Sequence, residues 1–292
     1  MMRGMYAAIS GLEGSQTMLD VTANNLANSD TIGYKAQATS FVDELSQTLA
    51  APTGPNGYNG GTNAQQVGLG VQVGAIQNEM GAGSLQTTGN ALDVAIQGNG
   101  FFQVGNGQPP ASSPYTSQLP TTYQYTRAGN LTLNSQGFLT TQSGQYVMGM
   151  TQPSNSTSPA PAATYLNVPQ GSTNVAVGQN GAVTYTDPTG APQTAGYLTL
   201  ATFPNNAGLA RDGESLWSPT QASGPSDLVP TTGTPNVSGF GETISGSLEM
   251  SNVDMATEFT NMITAERTYQ ANSKVITTAD SMLSTLVNMV QG

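Results

Sequence analysis

The feature that most constrains this chain is a heptad pattern that runs unbroken through its C-terminal region. Positions 255, 258, 262, 265, 269, 272, 276, 279, 283, 286 and 290 alternate strictly between three- and four-residue steps. They are Met255, Glu258, Met262, Ala265, Tyr269, Asn272, Ile276, Ala279, Leu283, Leu286 and Val290, and nine of the eleven are apolar. No Gly or Pro interrupts the run before Gly292. A helix that keeps this spacing over five heptads carries one continuous apolar seam, the pattern of a coiled coil rather than of a short core helix. At 1.5 Å per residue it forms a rod of roughly 57 Å. Ser251 followed by Asp254 resembles a capping box and marks the expected start.

Such a seam needs a partner, and the other end of the chain supplies one. Met5, Ala8, Leu12, Ser15, Leu19, Thr22 and Leu26 repeat the same spacing. This second seam is narrower and more polar. Gly4, Gly11 and Gly14 lie within it, each costing about 1 kcal/mol relative to Ala in a helix interior. Alone the N-terminal helix is marginal, and the C-terminal helix is its natural partner. Helical periodicity extends to about residue 50. Within the stretch "LDVTANNLANSDTIGYK", residues 19–35, the amides Asn24, Asn25 and Asn28 precede Ser29 and Asp30. These residue types favour turns over helix interiors. They are expected to end the first helix and to hydrogen-bond backbone groups of the turn.

Between the helices the chain is rich in Gly, Pro, Thr and Asn. In "ALDVAIQGNGFFQV" Leu92, Val94 and Ile96 share one face, and Asn99-Gly100 is a hairpin signal. "NLTLNSQGFLTT" repeats the logic around Gln136-Gly137, and "TNVAVGQNGAVTYTDPTG" repeats it around Asn180-Gly181. "GYLTLATF" is a further strand. Short strands separated by turns indicate an antiparallel barrel or sandwich. Proline-bearing stretches at 107–121 and 151–163 read as surface loops or as a spacer between lobes. The stretch 42–66, with Pro52, Pro55 and Gly54, Gly57, Gly60 and Gly61, reads as a connector with little structure of its own. The expected fold is α+β: paired N- and C-terminal coiled-coil-like helices with a mainly antiparallel β-domain inserted between them. Residues 1–41 with 246–292 form the helical domain, 42–66 the connector and 67–245 the β-rich domain.

Composition excludes several functions. Of 292 residues only 8% are charged, against roughly 25% in an ordinary soluble domain. The net charge is −11, and the six basic residues are scattered. Nucleic acid binding needs clustered Lys and Arg, so it is not expected. With no Cys and no His, disulfides, thiol nucleophiles, structural zinc and His-based catalysis are excluded. No phosphate loop, G-x-S-x-G elbow or G-x-G-x-x-G occurs. Asp212 and Glu214 in "ARDGESLW" read as turn residues rather than as a glycosidase pair. The start "MMRGMYAAISGLEGSQ" does not have the form of a signal peptide, and no stretch approaches the ~20 apolar residues of a membrane span. No catalytic residue, metal site or cofactor is expected.

The residues also carry a resemblance. "LDVTANNLANSDTIGYK" resembles the N-terminal signature of the flagellar rod and hook proteins. "TGNALDVAIQGNGFFQV" and "YTRAGNLTLNSQGFLTT" resemble its second shared region, and "LEMSNVDMATEFTNMITAERTYQANSKVITTADSMLSTLVNM" its third, in collinear order. Within that family, "GGTNAQQVGLGVQVGAIQ" and "ITTADSMLSTLVNM" are similar to the short type of hook protein, while a long connector also occurs in the distal rod protein. The expectation is therefore a hook subunit, with the distal rod as the alternative. A secreted β-rich adhesin is a remote third reading.

The resemblance implies a structural protein that polymerises with copies of itself into a hollow tube transmitting torque. It implies axial helices that contact neighbouring subunits through the two seams and through Asn24, Asn25 and Asn28. It also implies export to the extracellular flagellum without signal cleavage. The implied partners are adjoining rod and hook–filament junction proteins, the hook cap and the export apparatus, with no membrane insertion.

Overall fold

A computed structural model describes residues 2–55, 60–110, 119–120, 122–152, 163–224, 231–235 and 239–291. The chain divides into two compact units, one of residues 1–27, 37–79 and 253–292, the other of residues 28–36 and 80–252.

The first unit holds both helices, α1 (Met2–Ala27) and α2 (Met255–Gln291). Gly11 of α1 faces Asn272 of α2, and Asn25 of α1 bonds Glu258. The two helices therefore run antiparallel along each other. α2 starts three residues later than a capping box at Ser251 implies. Asp254 is its N-cap: Oδ1 accepts from the Ala256 and Thr257 amides at 2.9 and 3.4 Å, and Oδ2 from the Thr257 hydroxyl. An Asp at this position satisfies orphan amides of the first turn. α1 stops at Ala27, so helical structure does not continue to residue 50.

The described residues within 37–78 form a two-stranded ribbon instead. β1 (Gln37–Asp43) pairs antiparallel with β4 (Val71–Asn78), from Gln37 opposite Asn78 to Asp43 opposite Val71. β2 (Ser46–Ala50) pairs with β3 (Gln65–Gly68), and Thr53 bridges Thr62 beyond them. The stretch 42–66, expected to have little structure of its own, thus contributes strand residues at both its ends. Its Pro and Gly residues gather in the sequence between 52 and 61, beyond β2 and before β3. Polar cross-strand contacts tie the strands, among them the Thr53 and Thr62 hydroxyls at 2.8 Å and Gln66 Nε2 donating to Thr48 Oγ1 at 3.3 Å. Such pairs stabilise a ladder without an apolar face.

The second unit is the β unit. Every strand pairing among its described residues is antiparallel. Its main sheet runs in the order Thr173–Val177, Ala182–Thr186, Pro192–Leu198, Tyr146–Met150, Phe101–Gly105, Tyr123–Thr126, Leu216–Ser218 and Ala210–Gly213. The core joins Val94, Ile96, Phe102, Val104, Leu198 and Leu200. An aromatic cluster of Phe101, Tyr125, Phe203 and Trp217 packs beside it, Tyr125 meeting Phe203 edge-on at 4.9 Å.

Two of the expected hairpins form as read, with Leu133 opposite Leu139 and Val177 opposite Val183. Asn99-Gly100 does not make one. Val94–Gln97 pairs with Glu242–Ser245, while Phe101–Gly105 joins the main sheet. Successive residues Val94, Ala95 and Ile96 are all buried. Such a strand, covered on both faces, has lost the alternation that a hairpin reading assumes. The 107–121 and 151–163 stretches lie mostly outside the described residues.

The strands Gln65–Gly68 and Val71–Asn78 belong to the helical unit and residues 28–36 to the β unit. The unit boundaries therefore differ from those expected at 41, 67 and 245. Strand pairing with β1 and β2 draws the first group to the helices. Glu249 draws the second, as described below.

Candidate assembly interface

The N-terminal seam is inside the helical unit along its whole length. Ala8, Ser15 and Thr22 are buried, and Met5, Leu12, Leu19 and Leu26 are half-buried. Gly11 has a packing reason. A Cβ there would lie 2.5 Å from Asn272 Nδ2, so the missing side chain makes room for Asn272. On its other flank α1 receives the ribbon, where Gly14 faces the ring of Phe41.

The C-terminal seam is covered only in part. Ala265 and Ala279 are buried, and Met262, Asn272, Ile276 and Leu283 are half-buried. Met255, Tyr269 and Leu286 are exposed. The side chain of Val290 lies outside the described residues. The exposed seam ends continue into open apolar surface on both flanks of the helix. At about 100° per residue, Met255, Phe259 and Ile263 fall on one flank, and Val275, Met282, Leu286 and Met289 on the other. All seven are exposed, Met289 by 72%. The ribbon is also open: Leu45 is 83% exposed and Leu49 58%. A lone two-stranded ribbon is marginally stable in water, and apolar surface in stripes of this length marks an interaction face.

The three signature amides divide. Asn24 is exposed within α1, and Asn28 follows the helix, its Oδ1 accepting from the Thr31 hydroxyl at 3.1 Å. Asn25 is buried and does not end the helix. Its Nδ2 donates to Gln37 O at 2.8 Å and to Glu258 Oε1 at 3.2 Å, and its Oδ1 accepts from Gln37 N at 2.9 Å. Gln37 Nε2 in turn donates to Asn78 Oδ1. One amide therefore joins α1, β1 and α2. Burial raises the Glu258 carboxyl above its ordinary value; the bond from Asn25 opposes this, and Glu79 and Asp254 add to it.

The end of the signature, "TIGYK", belongs to the β unit. Gly33 takes φ +68°, and a Cβ there would lie 2.7 Å from the Ala128 amide, so only Gly fits. Lys35 and Glu249 form a buried ion pair at 2.6 Å, and Arg127 Nη1 reaches the second Glu249 oxygen at 3.1 Å. Burial pushes the Glu249 carboxyl up, but Arg127, Lys35 and the Gly83 amide outweigh it and hold it below the usual range. Arg211 lies between the rings of Tyr34 and Trp217, at 4.5 and 4.9 Å, and donates to Lys35 O. Sequence reading missed Glu249, Lys35 and Arg127. Their one visible signal is scarcity: charges are rare in this chain, so each one set among apolar neighbours asks for a partner. Asp212 accepts from Gln124 Nε2 at 2.9 Å and from the Ser218 hydroxyl, a turn role. No group of three or more metal-ligating side chains occurs among the described residues.

Three family models match this chain in order: "Flagella basal body rod protein" over residues 5–35, "Flagellar hook protein FlgE/F/G D1 domain" over 95–185, and "Flagellar basal body rod FlgEFG protein C-terminal" over 244–289. The chain is 37% identical over 289 residues to the flagellar basal-body rod protein FlgG of Bacillus subtilis, covering 99% of both chains. It belongs to the flagellar rod and hook axial family. The FlgG of Agrobacterium fabrum is 38% identical over 286 residues, 97% of both chains. The flagellar hook protein FlgE of Salmonella typhimurium is 28% identical over an alignment of 418 residues, 97% of this chain and 98% of the other. Proteins of this family are structural, not enzymes, and this chain is a component of the flagellum. The relatives named for the rod are more similar to it than the relative named for the hook, which reverses the order expected from the sequence. None of its described helices is long and apolar enough to cross a membrane.

Proposed function

We propose that this chain is a distal-rod-type subunit, which polymerises with copies of itself into a stiff hollow shaft of the flagellar basal body. The observation that carries the reading is end-to-end similarity to rod proteins of matching length. Two relatives named for the rod align over 97–99% of both chains. The hook relative aligns only across 418 residues, well beyond the 292 of this chain.

The open stripes of α2 and the open ribbon are the surfaces that neighbouring copies cover. The two stripes lie on different flanks of α2 and the ribbon lies against α1; a contact between such non-equivalent surfaces is heterologous, which builds a helical polymer rather than a closed dimer. Met255, Tyr269 and Leu286 take part in this contact between subunits. Ala8, Leu12, Ile276 and Ala279 hold the helix pair that presents it. The same reading includes contact with adjoining axial components and passage through the flagellar export apparatus.

Labelling purified hook–basal bodies with an antibody to this protein tests the assignment. Label on the straight shaft is expected. Label on the curved external segment would return the chain to the hook.

A further inference from the structure

We propose that Glu249 is a latch that ties residues 28–36, 80–84 and 247–252 of the β unit into one segment that opens and closes as a whole. The three stretches are remote in sequence, and all of them meet this side chain. Lys35 Nζ donates to Glu249 Oε1 at 2.6 Å and Gly83 N donates to the same oxygen at 3.0 Å. Arg127 Nη1, from the sheet, donates to Oε2 at 3.1 Å. Backbone bonds repeat the linkage. Gly33 N donates to Glu249 O at 2.8 Å, Met250 N to Ser84 O at 2.9 Å and Asn252 N to Tyr34 O at 3.4 Å. Asn252 Oδ1 accepts from Ala36 N at 2.7 Å, and Lys35 Nζ and Asn252 Nδ2 both reach Gly81 O.

Charge makes the closure all-or-none. The Glu249 side chain is fully buried, Lys35 is 1% exposed and Arg127 nearly as covered. One carboxylate serves two cations. Without it, Lys35 and Arg127 would face each other as buried like charges, which desolvation and repulsion both oppose. Residues 28–36 thus do not close unless 247–252 close with them.

The latch has a consequence for assembly. Residues 28–36 continue directly from α1, and 247–252 lead into α2. An open chain must close a loop of roughly two hundred residues before the helices meet. With the latch shut, Ala36 and Asn252 are already bonded, and the helices begin from joined ends at raised effective concentration.

Amide hydrogen exchange on the full-length chain tests this. Glu249→Gln keeps the shape and removes the charge. Its Gly33, Met250 and Asn252 amides should lose protection by one common factor, on the order of a hundredfold or more. Amides of Phe101–Gly105 should keep theirs. Adding Lys35→Met to Glu249→Gln should restore part of the protection, because it removes one of two unpaired cations. Unchanged protection in Glu249→Gln would overturn the latch. So would different loss factors for Gly33 and Met250, or a second substitution that only adds to the damage. If Glu249→Gln alone does not fold, the double variant decides: recovered folding supports the latch, and continued failure overturns it.

Discussion

Asn25 and the Gln37 backbone bond each other twice: the Asn25 side-chain amide donates to the Gln37 carbonyl at 2.8 Å and accepts from the Gln37 amide at 2.9 Å. The pair copies one rung of a β-ladder, with a helix side chain standing in for a strand. It fixes where the ribbon starts against α1. Asn25→Ala would leave both backbone groups of Gln37 unpaired and should cost about 1–3 kcal/mol. Asn25→Asp should cost more, since it removes the donors and sets a carboxylate against Glu258. Both α-helices lie in this unit, so far-ultraviolet circular dichroism during urea unfolding reads the loss.

Two glycines of α1 should respond unequally to the same substitution. A Cβ added at Gly4 would meet nothing within 4 Å, so Gly4→Ala gains helix propensity without a clash. It should stabilise by up to about 1 kcal/mol. Gly11→Ala gains the same propensity but must displace the Asn272 amide from 2.5 Å. Thermal melts should rank Gly4→Ala above the natural protein, and Gly11→Ala below Gly4→Ala.

The two units should answer acid in opposite senses. Burial raises the Glu258 carboxyl, so the folded helical unit binds that proton more tightly than the unfolded chain. This contribution is complete below the unfolded value of 4.5 and is lost as pH rises through the higher folded value. Glu249 is held below 4.5. Its contribution is present above the unfolded value and is lost as pH falls through the folded one. Glu258→Gln should flatten the decline of helix stability above pH 4.5. Glu249→Gln should flatten the acid loss of the β unit, followed by fluorescence of Trp217, the single tryptophan.

The helices were legible because a long seam leaves a period in the sequence, and all seven seam positions of α1 are buried or half-buried. The ribbon was not. Its strands mix Ser, Gln and Thr with about as many apolar residues, so only a short stretch at Val71, Val73 and Ala75 alternates, and the Pro and Gly between 52 and 61 dominate the composition. The residue type of Asn25 announces a bonding amide but not its partners: its bonds go to β1 and α2 rather than to the turn. Lys35, Arg127 and Glu249 stand far apart along the chain. Only the folded sheet brings them together, and no local spacing encodes that meeting.

The ribbon offers the test of how subunits meet. Leu45, Leu49 and Val67 are exposed on it, and its two strands have no third strand beside them among the described residues. Neighbouring copies that cover it would stabilise the ladder and stiffen the polymer. Deleting residues 52–63 removes the Thr53–Thr62 bridge and the tip but keeps β1 to β4. Circular dichroism and Trp217 fluorescence of the unassembled chain should stay unchanged. Assembled shafts should bend more readily or dissociate at lower denaturant, as measured from electron micrographs and by sedimentation. Shafts with unaltered stiffness and stability would mean that the tip touches no neighbour and that assembly rests on the stripes of α2 alone.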